Sequence, residues 1–371
     1  MKTESVVEKQ KRIPTTTLES IHGCILGTAI GDAVGLKREG LSRDRAIWLH
    51  GDQPAPDLIF GKGFCSDDTE HTVLVGCALL RSAGSVELFE RVFVGYLQKW
   101  LLTAPAGIGM GTLKAVIKSF FVSPKNYGVF TAGNGPAMRS ALLGLVAADD
   151  KHLVHLNRVC TRITHTDPKA EEGSLLVARA AKFAASGAAT NQNVDPMQFL
   201  EHVCPTIEGD ELKQHMNAVM DGLRQNLTPR EFAEYRGWGK GPTGYINQSV
   251  PAAIYCWAFT PNDLRSVVTN AVLLGGDTDS VAAIAGAIAG AGCGFAGIPK
   301  DWLDRLAEWP RDKSWMKQLA TEIHQSTYTS APRLAPSPCW GRTLIRNLLF
   351  GVTVVLLYFR RFIPIPARSR S

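Results

Sequence analysis

The chain has 371 residues, of which 45% are hydrophobic and 20% charged, enough for one large core or about two domains and too apolar for a mostly disordered chain. Its formal net charge of +6 does not describe a nucleic-acid binder. Six arginines, no acid and no lysine lie between 342 and 371, so residues 1–341 are formally neutral and offer no basic footprint for a phosphate backbone.

Residues 1–16 read as a polar lead without the apolar core of an export signal. Helical patterning begins near 17, where Leu18, Ile21, Ile25 and Ala29 recur at spacings of three and four. On the same stretch Gly23, Gly27, Gly31 and Gly35 recur every four residues, a smooth stripe that another helix or a ligand can approach closely. The periodicity predicts further helices over 69–83, 86–102, 111–121, 136–148, 151–163, 170–186, 195–203, 209–222, 229–234, 249–258, 262–273, 280–293, 301–308 and 312–325. Short connections rich in Gly, Pro, Asn and Asp separate them, and no convincing set of alternating strands stands out. The expected fold class is all-α, with one body over 17–328. The eight cysteines form no C-x-x-C pair and several sit in apolar runs. They are expected to be reduced core residues of a cytoplasmic protein.

Three prolines and a glycine mark 329–341 as a linker. Residues 342–371 then form a hydrophobic, arginine-rich tail whose apolar run, Leu348 to Phe359, is 12 residues long. A spanning helix needs roughly 20. The flanking arginines and the Tyr358-Phe359 pair suit contact with an anionic membrane surface. An arm that covers the body or a dimer partner is the other reading.

Two aspartate-rich turns carry the chemistry. Ser66-Asp67-Asp68-Thr69 and Gly275-Gly276-Asp277-Thr278-Asp279-Ser280 each open an apolar-periodic helix. Acids at a helix start serve as caps and complement the helix dipole, which is the plain reading of either turn alone. Gathered together, their four carboxylates and two hydroxyls would make an all-oxygen, strongly anionic pocket that needs compensating cations. Hard divalent ions, Mg²⁺ or Mn²⁺, are the natural occupants, and a two-ion site shares carboxylates at a separation of about 3.5–4 Å.

At these residues the sequence resembles the ADP-ribosylglycohydrolase family, which includes dinitrogenase-reductase-activating glycohydrolases and ADP-ribosyl-arginine and ADP-ribosyl-serine hydrolases. The resemblance covers about 17–325 and rests on ordered motifs. They are G-C-I-L-G-T-A-I-G-D-A-V-G-L-K-R-E from Gly23 to Glu39, S-D-D-T at 66–69, G-I-G-M-G-T at 107–112, G-N-G-P-A-M-R at 133–139, T-H-T-D at 164–167 and G-G-D-T-D-S at 275–280.

The resemblance implies a compact orthogonal helical fold and a pair of Mg²⁺ or Mn²⁺ ions at the bottom of a cleft. The ligands it implies are Ser66, Asp67, Asp68, Asp277, Asp279 and Ser280, serine standing at the first and last of these where the family has threonine. It also implies Glu39 as the catalytic residue, seven positions after Asp32, placing water or exchanging a proton with the leaving group. Asp32 itself is open between a place behind the ligands and a polar residue near a helix C-terminus. Gly109, Gly111, Gly133 and Gly135 fit diphosphate recognition through backbone N–H groups, with Thr131 and Asn134 as added donors. His165 would contact ribose or phosphate, and Tyr245 would face substrate. Asn247-Gln248 departs from the family's more apolar version and leaves the acceptor open. The implied reaction is hydrolysis of the glycosidic bond between ADP-ribose and a protein side chain or small molecule. Hydrolysis of another derivative such as O-acetyl-ADP-ribose, or ADP-ribose binding without turnover, remain as alternatives.

Overall fold

A computed structural model describes residues 16–123, 126–190, 194–329 and 331–360. The lead up to 15 and the tail from 361 lie outside the described residues. Helices dominate, and among the described residues the extended pairing is limited to one two-residue antiparallel ladder and isolated bridges.

The helix Thr278–Cys293 sits at the centre, buried at every position from Thr278 to Ala291. Its sequence is apolar all round and rich in Ala and Gly, the composition of a helix enclosed by neighbours. Helices Leu18–Gly35, Pro168–Thr190, Ile246–Phe259 and Leu264–Leu273 pack around it.

The contact with Leu18–Gly35 is the tightest. A Cβ added to Gly23 would stand 1.9 Å from Gly290 O, one on Gly27 2.2 Å from Gly286 O, and one on Gly31 2.0 Å from Ala282 O. The order is antiparallel, so Gly35 at one end meets Thr278. The four-residue stripe is therefore a helix–helix seam in which backbone touches backbone.

Local chemistry sets the ends of the helices. Thr17 caps the first, accepting from Ser20 N at 3.0 Å. Thr228 and Glu231 form a reciprocal capping box ahead of Pro229–Tyr235. The structure differs from the sequence reading in places. The helix expected over 136–148 is divided into a 3-10 turn, Ala137–Arg139, and Ala141–Val146. There the Asn134 carbonyl takes both Ala137 N and Met138 N, and Gly144 lies against Ala178. Arg43–His50 is a helix that periodicity does not reveal, because Ala46 is its one buried residue. The helix expected over 301–308 stops at Arg305, where Gly63 N takes the Arg305 carbonyl and Ala307 N pairs with Gly63 O.

A bulky side chain on the seam has nowhere to go. Gly27→Leu should lower the unfolding free energy by about 3 kcal/mol. Gly95→Ala, in a helix with nothing within 4 Å, should raise it by about 0.5–1 kcal/mol. Urea denaturation of both variants reads the contrast, and a Gly27→Leu midpoint equal to that of the parent would contradict the seam.

Candidate metal and substrate site

The glycine seam ends at the site. Thr278 donates its hydroxyl to the Gly35 carbonyl at 2.8 Å, tying the end of the first helix to the start of the central one. The chain leaves Gly35 through the 3-10 turn Leu36–Arg38 and reaches Glu39. Leu41–Ser42 then pairs with Gly275–Gly276, and Gly40 N donates to Gly276 O at 2.7 Å. Gly275 and Gly276 have φ of 80° and 74°, a left-handed region that side chains avoid. A Cβ there would also stand 2.6 Å from Arg43 N or 2.2 Å from Pro242 O. The ladder that carries Glu39 beside the second aspartate turn thus depends on both glycines.

The first turn is held from behind by Asp32. This fully buried carboxylate, in the last turn of the first helix, accepts from Ser66 N at 2.9 Å, from Thr69 N at 3.1 Å and from the Thr69 hydroxyl. Asp32 is therefore both a polar residue near the end of its helix and a strut behind the first turn. Ser66 caps its own helix, as the plain reading expects, accepting from Asp68 N at 3.3 Å, and also donates to Asp68 Oδ2 at 3.1 Å. Ser280 donates to the same oxygen at 3.2 Å, so the two turns meet directly. Asn134 donates Nδ2 to Asp277 Oδ2 at 2.8 Å.

Electrostatics make this an unusual place for acids. Burial, then the charges of Asp32, Glu70 and Glu39, pushes the Asp67 carboxyl well above its ordinary range. Burial, with Asp32, Asp67 and Asp277, does the same to Asp68. For Asp279 the order is burial, then Glu39, Asp277, Asp68 and Asp32. Asp277 is raised by burial, and Asp32 is pushed up to about 7 by burial despite its hydrogen bonds. Glu39 is exposed at the rim, yet its charge is felt by both turns. Among the described residues no lysine or arginine lies within ion-pair distance of Asp32, Asp67, Asp68, Asp277 or Asp279.

Among the described residues no three His, Cys, Asp or Glu groups are gathered into a metal cluster. The carboxylates are instead spread onto local donors, Asp68 on two serines and Asp277 on Asn134. Two oxygens, Asp68 Oδ1 and Asp279 Oδ1, are buried with no partner. A buried acceptor without a donor is unfavourable. An all-oxygen donor set with two orphaned carboxylate oxygens and no protein cation fits hard divalent ions.

Beside the turns stands the glycine cluster. A Cβ on Gly111 would lie 3.0 Å from His165 Nε2 and 2.8 Å from Thr131 Cγ2. One on Gly133 would lie 3.0 Å from His165 Nε2, and one on Gly135 3.2 Å from its Cε1. These residues thus surround one imidazole. Gly109 is the N-cap of Met110–Lys118 with open space at its α-carbon. His165 Nδ1 lies 2.8 Å from Thr164 Oγ1, which also accepts from Arg139 at 2.6 Å. Burial and the Arg139 charge lower the His165 pKa to about 3, so the ring is neutral. Tyr245 bridges Gly133 through its backbone, while its hydroxyl donates to Glu211 at 2.6 Å and accepts from Lys169 at 2.8 Å.

Three neighbours of the site went unremarked in the sequence. Gly107, with φ of 84°, would place a Cβ 3.8 Å from Asp67 Oδ1, and Gly244 would place one 3.4 Å from Asp277 Oδ2. Arg139, fully buried, holds Thr164, the Cys160 carbonyl and His71. Gly107 and Arg139 stand inside motifs already singled out and Gly244 directly precedes Tyr245, which was the available signal.

The family model for ADP-ribosylglycohydrolase matches residues 13–333. The chain is a member of the ADP-ribosylglycohydrolase family. A protein of Archaeoglobus fulgidus described as uncharacterized is 32% identical over 316 residues, covering 83% of this chain and 96% of its own. The ADP-ribosylhydrolase ARH3 of Bos taurus is 26% identical over 338 residues, covering 77% of this chain and 88% of its own. A solved structure, an ADP-ribosylglycohydrolase-related protein complex, superposes with a TM-score of 0.62 at 25% identity over 84% of this chain and 98% of that one. As an ADP-ribosylglycohydrolase, the chain is a metal-dependent hydrolase of the glycosidic bond between ADP-ribose and an acceptor.

Arg139 offers a test of how this ADP-ribosylglycohydrolase builds its site. Lysine keeps the charge but cannot reach three partners in one plane. Arg139→Lys should cost about 2 kcal/mol of unfolding free energy in urea, the penalty of buried acceptors left unmatched. An unchanged midpoint would show the network to be idle.

Proposed function

We propose that this ADP-ribosylglycohydrolase works with two Mg²⁺ or Mn²⁺ ions held by Ser66, Asp67, Asp68, Asp277, Asp279 and Ser280. The observation that carries this reading is the pair of orphaned buried oxygens, Asp68 Oδ1 and Asp279 Oδ1, on turns joined by the Ser280–Asp68 hydrogen bond. Bound there, the ions would hold the distal ribose by its hydroxyls and supply Lewis-acid polarisation, while the carbon under attack takes on oxocarbenium-like character.

The chain's own groups do the rest. Glu39, at the rim between the turns, positions the attacking water and exchanges a proton with the leaving group. Gly109, Gly111, Gly133 and Gly135 let backbone N–H groups approach the diphosphate. Neutral His165 offers Nε2 to a ribose or phosphate oxygen, Thr131 and Asn134 supply further polar contacts, and Tyr245 flanks the acceptor side. The catalytic unit spans 17–328, ahead of the linker 329–341 and the tail 342–371. The acceptor is a protein side chain or a small molecule, met in the cytoplasm.

Asp279→Ala should reduce release of ADP-ribose from a modified protein by at least about a hundredfold, and excess EDTA should do the same to the parent until Mg²⁺ or Mn²⁺ is restored. Activity retained in both would sink the metal assignment. Glu39→Gln should lower kcat by about a hundredfold or more while isothermal titration finds ADP-ribose bound as before. Undiminished kcat would remove Glu39 from its role. A product assay across arginine, serine and O-acetyl derivatives identifies the acceptor.

A further inference from the structure

The helix Trp340–Arg360 begins beyond residue 333, where the family match ends. Its packing is inverted relative to an ordinary surface helix, which buries apolar residues and exposes polar ones. Here the buried side holds Thr343, Arg346 and Asn347, with Phe350. Arg346 donates to the Cys65 carbonyl and to Glu308 Oε2, the latter at 2.7 Å, and Glu308 also accepts from Cys65 N at 2.8 Å. Asn347 donates to the carbonyl and hydroxyl of Thr103, both at 3.1 Å. Phe350 closes the contact against Leu36 and Leu58.

The outward side is apolar. Ile345, Leu348, Leu349, Val352, Leu356 and Phe359 follow the three-and-four spacing of one stripe, and each is more than half exposed, Leu349 at 67%. Next to the docked residues, Leu102 is 70% exposed and Phe60 wholly so. A stripe of this length on a soluble body marks an interaction surface.

Charge selects the partner. Arg346 is engaged by Glu308, and the sequence from 342 onward carries five further arginines, Arg342, Arg360, Arg361, Arg368 and Arg370, and no acid. A second copy meeting this stripe would bring two such sets of arginines together. Anionic headgroups would instead satisfy them while the acyl region takes the stripe. The run Leu348–Phe359 is about 18 Å long at the helical rise, against about 30 Å of hydrocarbon. No helix among the described residues is long and apolar enough to cross a membrane.

We infer that Trp340–Arg360 is an in-plane anchor for an anionic lipid surface, fastened to the body through its polar side. The anchor is hydrogen-bonded to Cys65, the residue before Ser66, so a bound membrane would sit at a fixed place relative to the first aspartate turn. The inference does not depend on the reaction assigned to that turn.

Co-sedimentation of the full chain with vesicles decides it. The parent should partition about tenfold more strongly into phosphatidylcholine vesicles containing phosphatidylserine than into phosphatidylcholine alone, and lose most of that preference at high salt. Leu348→Glu, Leu349→Glu and Val352→Glu combined should abolish the partition with the melting temperature and ADP-ribose release unchanged. Three outcomes would overturn the inference: a parent that stays in the supernatant with anionic vesicles, a triple variant that sediments like the parent, or a parent dimer that the same substitutions split into monomers, which would assign the stripe to a second copy.

Discussion

Everything in this molecule hangs on two helices whose backbones touch. Leu18–Gly35 and Thr278–Cys293 approach so closely that a single methyl at Gly23, Gly27 or Gly31 would collide with a carbonyl opposite. Such contact leaves no side chain to slide or repack, so it fixes the relative height of the helices as well as their distance. Fixed height is what the site needs. It places Asp32 and Gly35, at the end of one helix, level with Asp277 and Asp279 at the start of the other. A seam of leucines would hold the helices together about as well, but farther apart and with more freedom to shift.

From that fixed end two kinds of support spread. One is backbone: Thr278 on Gly35, Gly40 on Gly276, and the short ladder that brings Glu39 across. The other is Asp32, which gathers Ser66 and Thr69 and so sets the first turn against the second. Neither involves a group that would face substrate. The placement of the two turns is thus decided one layer behind the aspartates, where burial makes each hydrogen bond more consequential.

Much of this was readable along the chain, and the failures share a cause. The aspartate turns announce themselves because their chemistry is local: adjacent acids, glycines, and an apolar helix following. The glycine stripe predicted a close approach without saying by what, since the complementary Gly286 and Gly290 lie more than 250 residues away. Asp32 was ambiguous for the same reason, its partners being 34 and 37 positions off. Arg43–His50 was invisible because it buries only Ala46 and so has no apolar face to count. The tail helix shows the limit most sharply. Its periodicity was legible, but periodicity does not say which side turns inward, and the sign was set by Glu308 and Thr103 reaching for Arg346 and Asn347. Hydrophobic patterning names two faces; only long-range polar contacts say which is which.

The layout of cations completes the argument. Arg139, Arg311 and Arg346 are all buried near the site, yet each is turned to other partners: Thr164 and Cys160, Glu70 and Pro338, Glu308 and Cys65. None pairs with an aspartate of the two turns. A guanidinium there would settle the carboxylates permanently and leave them no call on anything else. Burial, with the Arg139 charge behind it, keeps His165 neutral, so no imidazolium competes for the acids either. Buried acids stand together, and among the described residues no lysine or arginine is paired with them. That arrangement is costly for the bare chain, and the proposed ions would supply its balance where no side chain does.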